Sequence, residues 1–266
     1  MNRFPQHTFL LYCCLFLIGG TTLLSQYETK LTVTLNEFTK ELDIQQEFVY
    51  YNNSNYSLGI LYFNDWAHAY SNKNTGLAKR FAQEFKKSLH LAKKSERGYT
   101  TIVSAVDNEY QGLQWERATG DDILKVRLNK PLLPKESTKL FLTYKVKLPP
   151  NKYTPYGYDS KGNYYLKDWY LTPAVYDGKW YLYSNKNLED LYTNITKTTV
   201  NFKYPDSLEL GTNLAISNTS GFPNGQFAKL EGKQRKSAEI ILHTEKKFTT
   251  HVTPTMTVVT DISAPR

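Results

Sequence analysis

The sequence predicts an all-β fold: a large antiparallel β-sandwich or saddle domain with one inserted amphipathic helix. Three observations carry this prediction. Apolar and polar residues alternate along most of the chain, turn residues punctuate the alternation, and a single segment repeats its apolar residues at helical spacing. Leu31, Val33 and Leu35 alternate with Thr32, Thr34 and Asn36, which buries one face of a strand and wets the other. Leu42 and Ile44 resume the pattern after a polar turn, and 48–51 leads into the turn-rich 52–55, so the region reads as a meander. Alternation returns at 123–128 and 140–148, and the connection 129–138, with Pro131 and Pro134, reads as a hairpin. The segments 200–204, 238–243 and 256–259 continue the pattern.

The helix is predicted from Thr75, a side chain suited to capping, followed by Leu77, Phe81, Phe85 and Leu89 at intervals of four before Gly98. Lys79, Arg80, Lys86, Lys87, Lys93 and Lys94 occupy the opposite side. That basic face suits either an acidic partner or membrane surface, or plain solvent behind a helix packed on a sheet. The second reading is the simpler one and makes the apolar stripe part of the core.

Aromatic residues make up 14% of the chain against 22% charged, the balance of a packed domain rather than a disordered one. The net charge of +8 is spread out and forms no basic cluster interleaved with stacking rings, so no nucleic-acid partner is expected. Arg3, the apolar run 9–18 and the small residues 19–22 predict a secretory signal peptide over 1–25. The mature domain, 26–266, is then secreted or periplasmic. The apolar run falls short of the ~20 residues of a spanning helix, so no stable membrane span is expected. Cys13 and Cys14 lie within the leader, and a mature chain without thiols has no disulfide, thiolate nucleophile or Cys-based metal site. Leu11 and Tyr12, which precede Cys13, do not fit a lipoprotein signal. Asn52, Asn55, Asn194 and Asn218 each begin an N-glycosylation triplet.

The patterns of known catalytic chemistry are missing. A thermolysin-like zinc site needs two His one helical turn apart with a Glu between them, and His7, His68, His90, His243 and His251 contain no such pair. There is no Gly-x-Ser-x-Gly elbow, and the glycines at 211 and 221–225 lack the Lys-Ser or Lys-Thr of a phosphate loop. Asp121 with Asp122 and Glu189 with Asp190 are adjacent carboxylates, which point to opposite faces of a strand or into solvent from a loop. The segment 153–183 is the candidate binding surface. It gathers eleven Tyr and Trp residues, among them Trp169, Tyr170, Tyr176 and Trp180, whose rings suit sugars or peptide side chains. The competing reading puts Trp169 and Trp180 in the core and uses the Tyr hydroxyls to tie down loops.

Several segments occur in an order that resembles the N-terminal β-saddle domain of aminopeptidase-N-like zinc metallopeptidases of the gluzincin class. These are Tyr51 to Ser54, Leu58 to Phe63, Gly98 to Val103, Pro131 to Thr138 and Trp169 to Pro173, together with Leu61 to Tyr70 and Leu166 to Trp180. The sequence departs from the family where Lys135 stands in place of a hairpin Gly, and where Leu171 and Thr172 separate Tyr170 from Pro173. The helix after Thr75 resembles a subgroup insertion. The Gly-x-Met-Glu-Asn segment and the His-Glu-x-x-His helix of the family are not found, so the resemblance carries over no catalytic or metal-binding residue. It implies a non-catalytic domain, truncated before the catalytic domain, that docks on such a domain and helps shape a peptide-binding cleft. Zinc is then expected only in that missing domain. The alternative is a stand-alone secreted binding module for carbohydrate or peptide, acting through the Tyr- and Trp-rich segment.

Overall fold

The structure is a computed structural model describing residues 27–118, 122–186, 191–245, 248–252 and 257–261, with backbone only for 249–252 and 257–261. The predicted leader, Asp121, Glu189 and Asp190 lie outside the described residues. The first half of the chain forms β1 (Tyr27–Asn36), β2 (Glu41–Tyr51), β3 (Leu58–Asn64), α1 (Gly76–Gln83), β4 (Tyr99–Val106), β5 (Gln114–Arg117), β6 (Ile123–Leu132) and β7 (Ser137–Lys147). Five short strands follow: β8 (Gly157–Tyr158), β9 (Tyr164–Leu166), β10 (Thr172–Pro173), β11 (Val175–Tyr176) and β12 (Trp180–Tyr181). The remainder is β13 (Thr196–Tyr204), β14 (Glu209–Thr212), β15 (Ala215–Phe222), β16 (Gly225–Arg235), β17 (Ile240–His243), β18 (Phe248–Val252) and β19 (Thr257–Asp261).

A seven-stranded sheet runs in the order β15-β16-β13-β1-β2-β7-β4. The predicted alternation is its organising rule. Leu31, Val33 and Leu35 of β1, Leu42, Ile44 and Phe48 of β2, and Leu140, Leu142, Tyr144 and Val146 of β7 all point into one core. The opposite face carries ion pairs such as Lys197–Glu28 and Lys145–Asp43. Such exposed pairs add little stability; they keep the face wet. Two four-stranded sheets, β10-β3-β6-β5 and β14-β17-β9-β8, complete the core. Phe48 of β2 meets Phe63 of β3 edge to face with 5.8 Å between ring centres, a preferred aromatic geometry.

A closed ring of three buried hydrogen bonds ties the loop after β9 to the large sheet. The Leu171 N–H donates to the Tyr144 hydroxyl over 3.1 Å, Tyr144 donates to Gln46 Oε1 over 2.7 Å, and Gln46 Nε2 donates to the Leu171 carbonyl over 2.9 Å. Gln46 is the one polar residue on the inward face of β2, and this pairing meets the cost of burying it.

Three local expectations need correction. The connection 129–138 is not a hairpin, because β6 and β7 belong to different sheets. The chain turns at 133–136 with Lys135 at φ 64, held by backbone bonds from Lys135 N–H to the Asn52 carbonyl and from Asn52 N–H to the Glu136 carbonyl. The large sheet is also not wholly antiparallel, since β1 pairs in parallel with β13.

The helix is the third correction. Thr75 caps it as expected, accepting the Ala78 N–H, and Leu77 and Phe81 are buried. It ends at Gln83, however. Phe85 takes the left-handed conformation at φ 60, with Phe85 N–H bonded to the Ala82 carbonyl and Lys86 N–H to the Phe81 carbonyl. This is a Schellman stop, a position that favours glycine. Phe85 therefore leaves the apolar stripe and is 90% exposed, while Leu89 reaches the core from a separate turn.

Two outcomes follow from this packing. Tyr144→Phe orphans the Leu171 N–H and Gln46 Oε1 and is expected to cost about 1–3 kcal/mol in urea unfolding; an unchanged midpoint would remove the hydrogen-bond ring as a stabilising element. Phe85→Gly relieves a left-handed bulky residue that has almost no contacts to lose. It is expected to gain about 1 kcal/mol and raise the thermal midpoint by about 2–4 °C, whereas a fall would show that Phe85 packs.

Candidate functional site

The four residues predicted as a binding surface separate into two environments. Trp169 is fully buried and its indole N–H donates to the Ala238 carbonyl at 2.7 Å, so it has no surface to offer a ligand. Tyr170 packs edge on against it at 5.1 Å and is 7% exposed. Tyr176 and Trp180, on the β11–β12 hairpin, are half-buried with ring centres 5.0 Å apart. Trp180 also touches Tyr62 at 5.3 Å and Tyr50 at 6.2 Å. Beyond the hairpin, Tyr192 lies edge on to both Tyr181 and Tyr183, and Tyr183, Tyr192 and Ile195 are exposed. The segment thus divides into a buried anchor at 169–170 and a half-exposed ring cluster at 176–195.

A separate cavity opens on the N-terminal side of Trp169. Its volume is about 330 Å³ and its lining brings together Trp66, Tyr70, Thr154, Tyr156, Asp168 and Asn185, with Tyr153, Pro155 and Lys167 at its other walls. Four separate segments build it. Residues 66–70 are a 3₁₀ turn after β3, and Trp66 Nε1 donates to the Tyr183 carbonyl at 2.7 Å, which fixes the ring. Residues 153–156 precede Gly157, whose φ of 109 and contact with Pro149 exclude a side chain: a Cβ there would lie 1.9 Å from the Pro149 carbonyl oxygen. Asp168 sits at φ 50, a conformation that Asp tolerates better than most residues, and directly precedes the buried Trp169.

The polar groups of the cavity are partly engaged. The Tyr70 hydroxyl lies 2.6 Å from Thr154 Oγ1. Burial pushes this phenol up to about 12, against the lowering effect of its hydrogen bonds to Thr154 and Asn185, so it stays protonated at neutral pH. Tyr156 is 6% exposed, and its hydroxyl has no hydrogen-bond partner among the described residues. Burial, reinforced by Tyr70, Asp65 and Asp168, raises that phenol far above its usual value.

Behind the cavity, Asp122 anchors the loop that carries Asn185. Its Oδ2 accepts from the Asn185 N–H at 2.7 Å and from Ser184 Oγ at 2.9 Å. The neighbouring Asp65 is buried against Arg117 at 2.6 Å and Thr100 Oγ1 at 2.6 Å. Among the described residues Asp122 has no such cation and its Oδ1 is buried without a partner, and burial raises its pKa to about 6 despite those two bonds. The histidines stand apart. His68 Nδ1 lies 3.1 Å from both backbone groups of Thr100, and His243 is buried between the edges of Tyr165 and Phe248. Among the described residues no group of three or more His, Cys, Asp or Glu side chains is placed to hold a metal ion.

Sequence reading singled out Tyr153 and Tyr156 only as members of an aromatic run, and it missed Trp66, Tyr70 and Asn185 as parts of one site. These residues lie far apart in the chain and share no spacing, so no local signal connects them. The rarity of Trp, four in the chain, was the one available pointer to Trp66.

The raised pKa of Asp122 has a definite sign. The folded state holds its proton more tightly than the unfolded chain, so the stabilisation is complete below about 3.8 and is lost as pH rises through about 6. At pH 7.5 Asp122→Asn is expected to be more stable than the parent by up to roughly 2–3 kcal/mol, and at pH 4 the gap should close. Equal differences at both pH values in denaturant melts would refute the assignment.

Neither a protein-family model nor a curated protein matches this sequence. Solved structures do match its fold. The M1 zinc metallopeptidase of Deinococcus radiodurans superposes with a TM-score of 0.50 at 13% identity, over 89% of this chain and 46% of that one. A mutant of that enzyme bound to a Tyr-Ser-Ala substrate gives the same values. A mutant of a two-domain M1 zinc metallopeptidase bound to L-tryptophan matches with a TM-score of 0.50 at 15% identity and the same coverage. This chain thus spans less than half the length of the structures it matches. It has the fold of a β-rich part of an M1 zinc metallopeptidase, as expected for that family's N-terminal domain without its catalytic domain.

Proposed function

We propose that this domain is a non-catalytic scaffold that docks on a zinc metallopeptidase catalytic domain and helps shape its peptide-binding cleft. The observation that carries the reading is coverage: nearly all of this chain finds a counterpart in M1 metallopeptidase structures, and the larger part of those structures has none here. On this reading the zinc belongs to the partner, and the domain is exported through its leader. The half-exposed rings around Trp180 and Tyr192 are the surface assigned to the partner, because Tyr and Trp are enriched where interfaces bury area.

Two measurements test the proposal. The purified domain, supplied with zinc, is expected to leave aminoacyl fluorogenic substrates uncleaved, and turnover abolished by a chelator would overturn the non-catalytic assignment. Mixed with a metallopeptidase catalytic domain from the same genome that lacks its own β domain, it should sediment as a one-to-one complex. Trp180→Ala should weaken that complex by about tenfold or more. Independent sedimentation of the two chains would remove the docking role.

A further inference from the structure

The positive charge expected to be spread along the chain is concentrated in one segment. Residues 73–97 hold six Lys and two Arg against two Glu, a net +6 out of the +8 of the whole sequence. The segment comprises α1, a loop that closes one helical turn through the Leu91 N–H to Lys87 carbonyl bond at 2.9 Å, and a 3₁₀ turn at Lys94–Glu96. All six Lys and Arg80 are exposed. Both carboxylates are engaged already, Glu84 by Arg80 at 2.5 Å and Lys86 at 3.0 Å, and Glu96 by Lys152. Lys73, Lys79, Lys87, Lys93 and Lys94 make no ion pair among the described residues.

Two large apolar side chains stand out of this basic surface. Phe81 and Leu89 are buried and pin the segment to the core, whereas Phe85 is 90% exposed and Leu91 73%. Leu89 and Leu91 are two residues apart in the 87–91 turn, which at helical spacing puts them on opposite sides. Phe85 keeps its place on a left-handed backbone that glycine would occupy at less cost. A bulky ring held in such a conformation without core packing points to a contact outside the chain.

The composition of the patch decides between partners. A second copy of the chain would meet it as like charge. An acidic protein face selects Arg, whose planar fork matches a carboxylate, and protein interfaces are depleted in Lys; here Lys outnumbers Arg six to two. A nucleic acid needs rings to stack on, and Leu91 has no use on its phosphates. An anionic bilayer uses every part. Its diffuse negative surface attracts compact ammonium charges without demanding fixed geometry, and its acyl boundary takes up the Phe and Leu side chains.

We propose that residues 73–97 form a peripheral binding surface for an anionic lipid bilayer, with the Lys side chains at the headgroups and Phe85 and Leu91 inserted between them. The surface is distinct from the Trp180–Tyr192 rings and does not depend on the docking role, whose test it does not share.

The test is co-sedimentation of the purified chain with vesicles of phosphatidylcholine containing one-third phosphatidylglycerol, against vesicles of phosphatidylcholine alone. The anionic vesicles are expected to bind about tenfold or more tightly than the neutral ones, and raising the salt from about 0.1 to about 1 M should weaken them. Replacing Lys87, Lys93 and Lys94 together by Gln should cost on the order of a hundredfold. Phe85→Gly and Leu91→Ser should each weaken binding about threefold to tenfold. The unfolding midpoint of Phe85→Gly should be equal to or above that of the parent, and that of Leu91→Ser unchanged, which separates lost binding from lost folding. The proposal is overturned if anionic vesicles fail to bind at about 1 mM lipid, if neutral vesicles bind equally well, or if both apolar variants bind like the parent. It is also overturned if soluble polyglutamate binds the parent and Phe85→Gly as tightly as the anionic vesicles bind the parent, the outcome that would assign the patch to an acidic protein.

Discussion

The hydrogen-bond ring joining Gln46, Tyr144 and the backbone of Leu171 is the constraint on which the arrangement around the candidate site depends. A loop that crosses the floor of an apolar core must satisfy its own N–H and carbonyl, and no strand is available there to do so. Gln46 and Tyr144, on adjacent strands of the large sheet, satisfy both groups of one residue. With Leu171 held, Trp169 drives its indole into the core and finds the Ala238 carbonyl. Asp168 is then presented at the cavity, and Thr172 and Pro173 add to the edge of β3.

A second set of buried polar groups holds the other side of the cavity. Asp122 receives the Asn185 N–H and the Ser184 hydroxyl, the Trp66 indole reaches the Tyr183 carbonyl, and Tyr183 N–H reaches Asn64 Oδ1 at 3.2 Å. The 183–185 loop is therefore fixed by side chains that lie at or beyond the ends of β3 and β6 rather than by strand pairing. The cost falls on Asp122, whose charge is buried with no cation of its own among the described residues. Asp65, one sheet neighbour away, has Arg117 for that purpose.

How far the fold was legible in the sequence varied with the length of the element. β1, β2, β6, β7 and β13 each carry several alternating apolar positions, and pattern alone identified them. β8 to β12 are two or three residues long, too short for a repeat to show, and lie in a Tyr-rich run whose apolar and polar residues come in clusters, so alternation carried no information there. The helix boundary was missed because Phe85 kept the four-residue spacing while its backbone had already turned left-handed. Lys135 shows the reverse. Its mismatch with a family glycine marked a real positive-φ turn, although the hairpin expected around it did not form. The cavity was the least legible feature, because only tertiary folding joins its four segments. Of the four residues predicted to bind, Trp169 and Tyr170 are core.

The parallel pairing of β1 with β13 sets an order of events for making this protein. Tyr27 lies opposite Thr196, and β1 occupies the middle of the seven-stranded sheet. A strand synthesised among the first cannot acquire its second neighbour until most of the chain has left the ribosome. Sheets closed by such distant pairings fold slowly and expose unpaired edges while they wait. A polypeptide of this topology remains open to a holding chaperone for most of its synthesis, and truncation before β13 would leave β1 with one bare edge rather than a smaller finished domain.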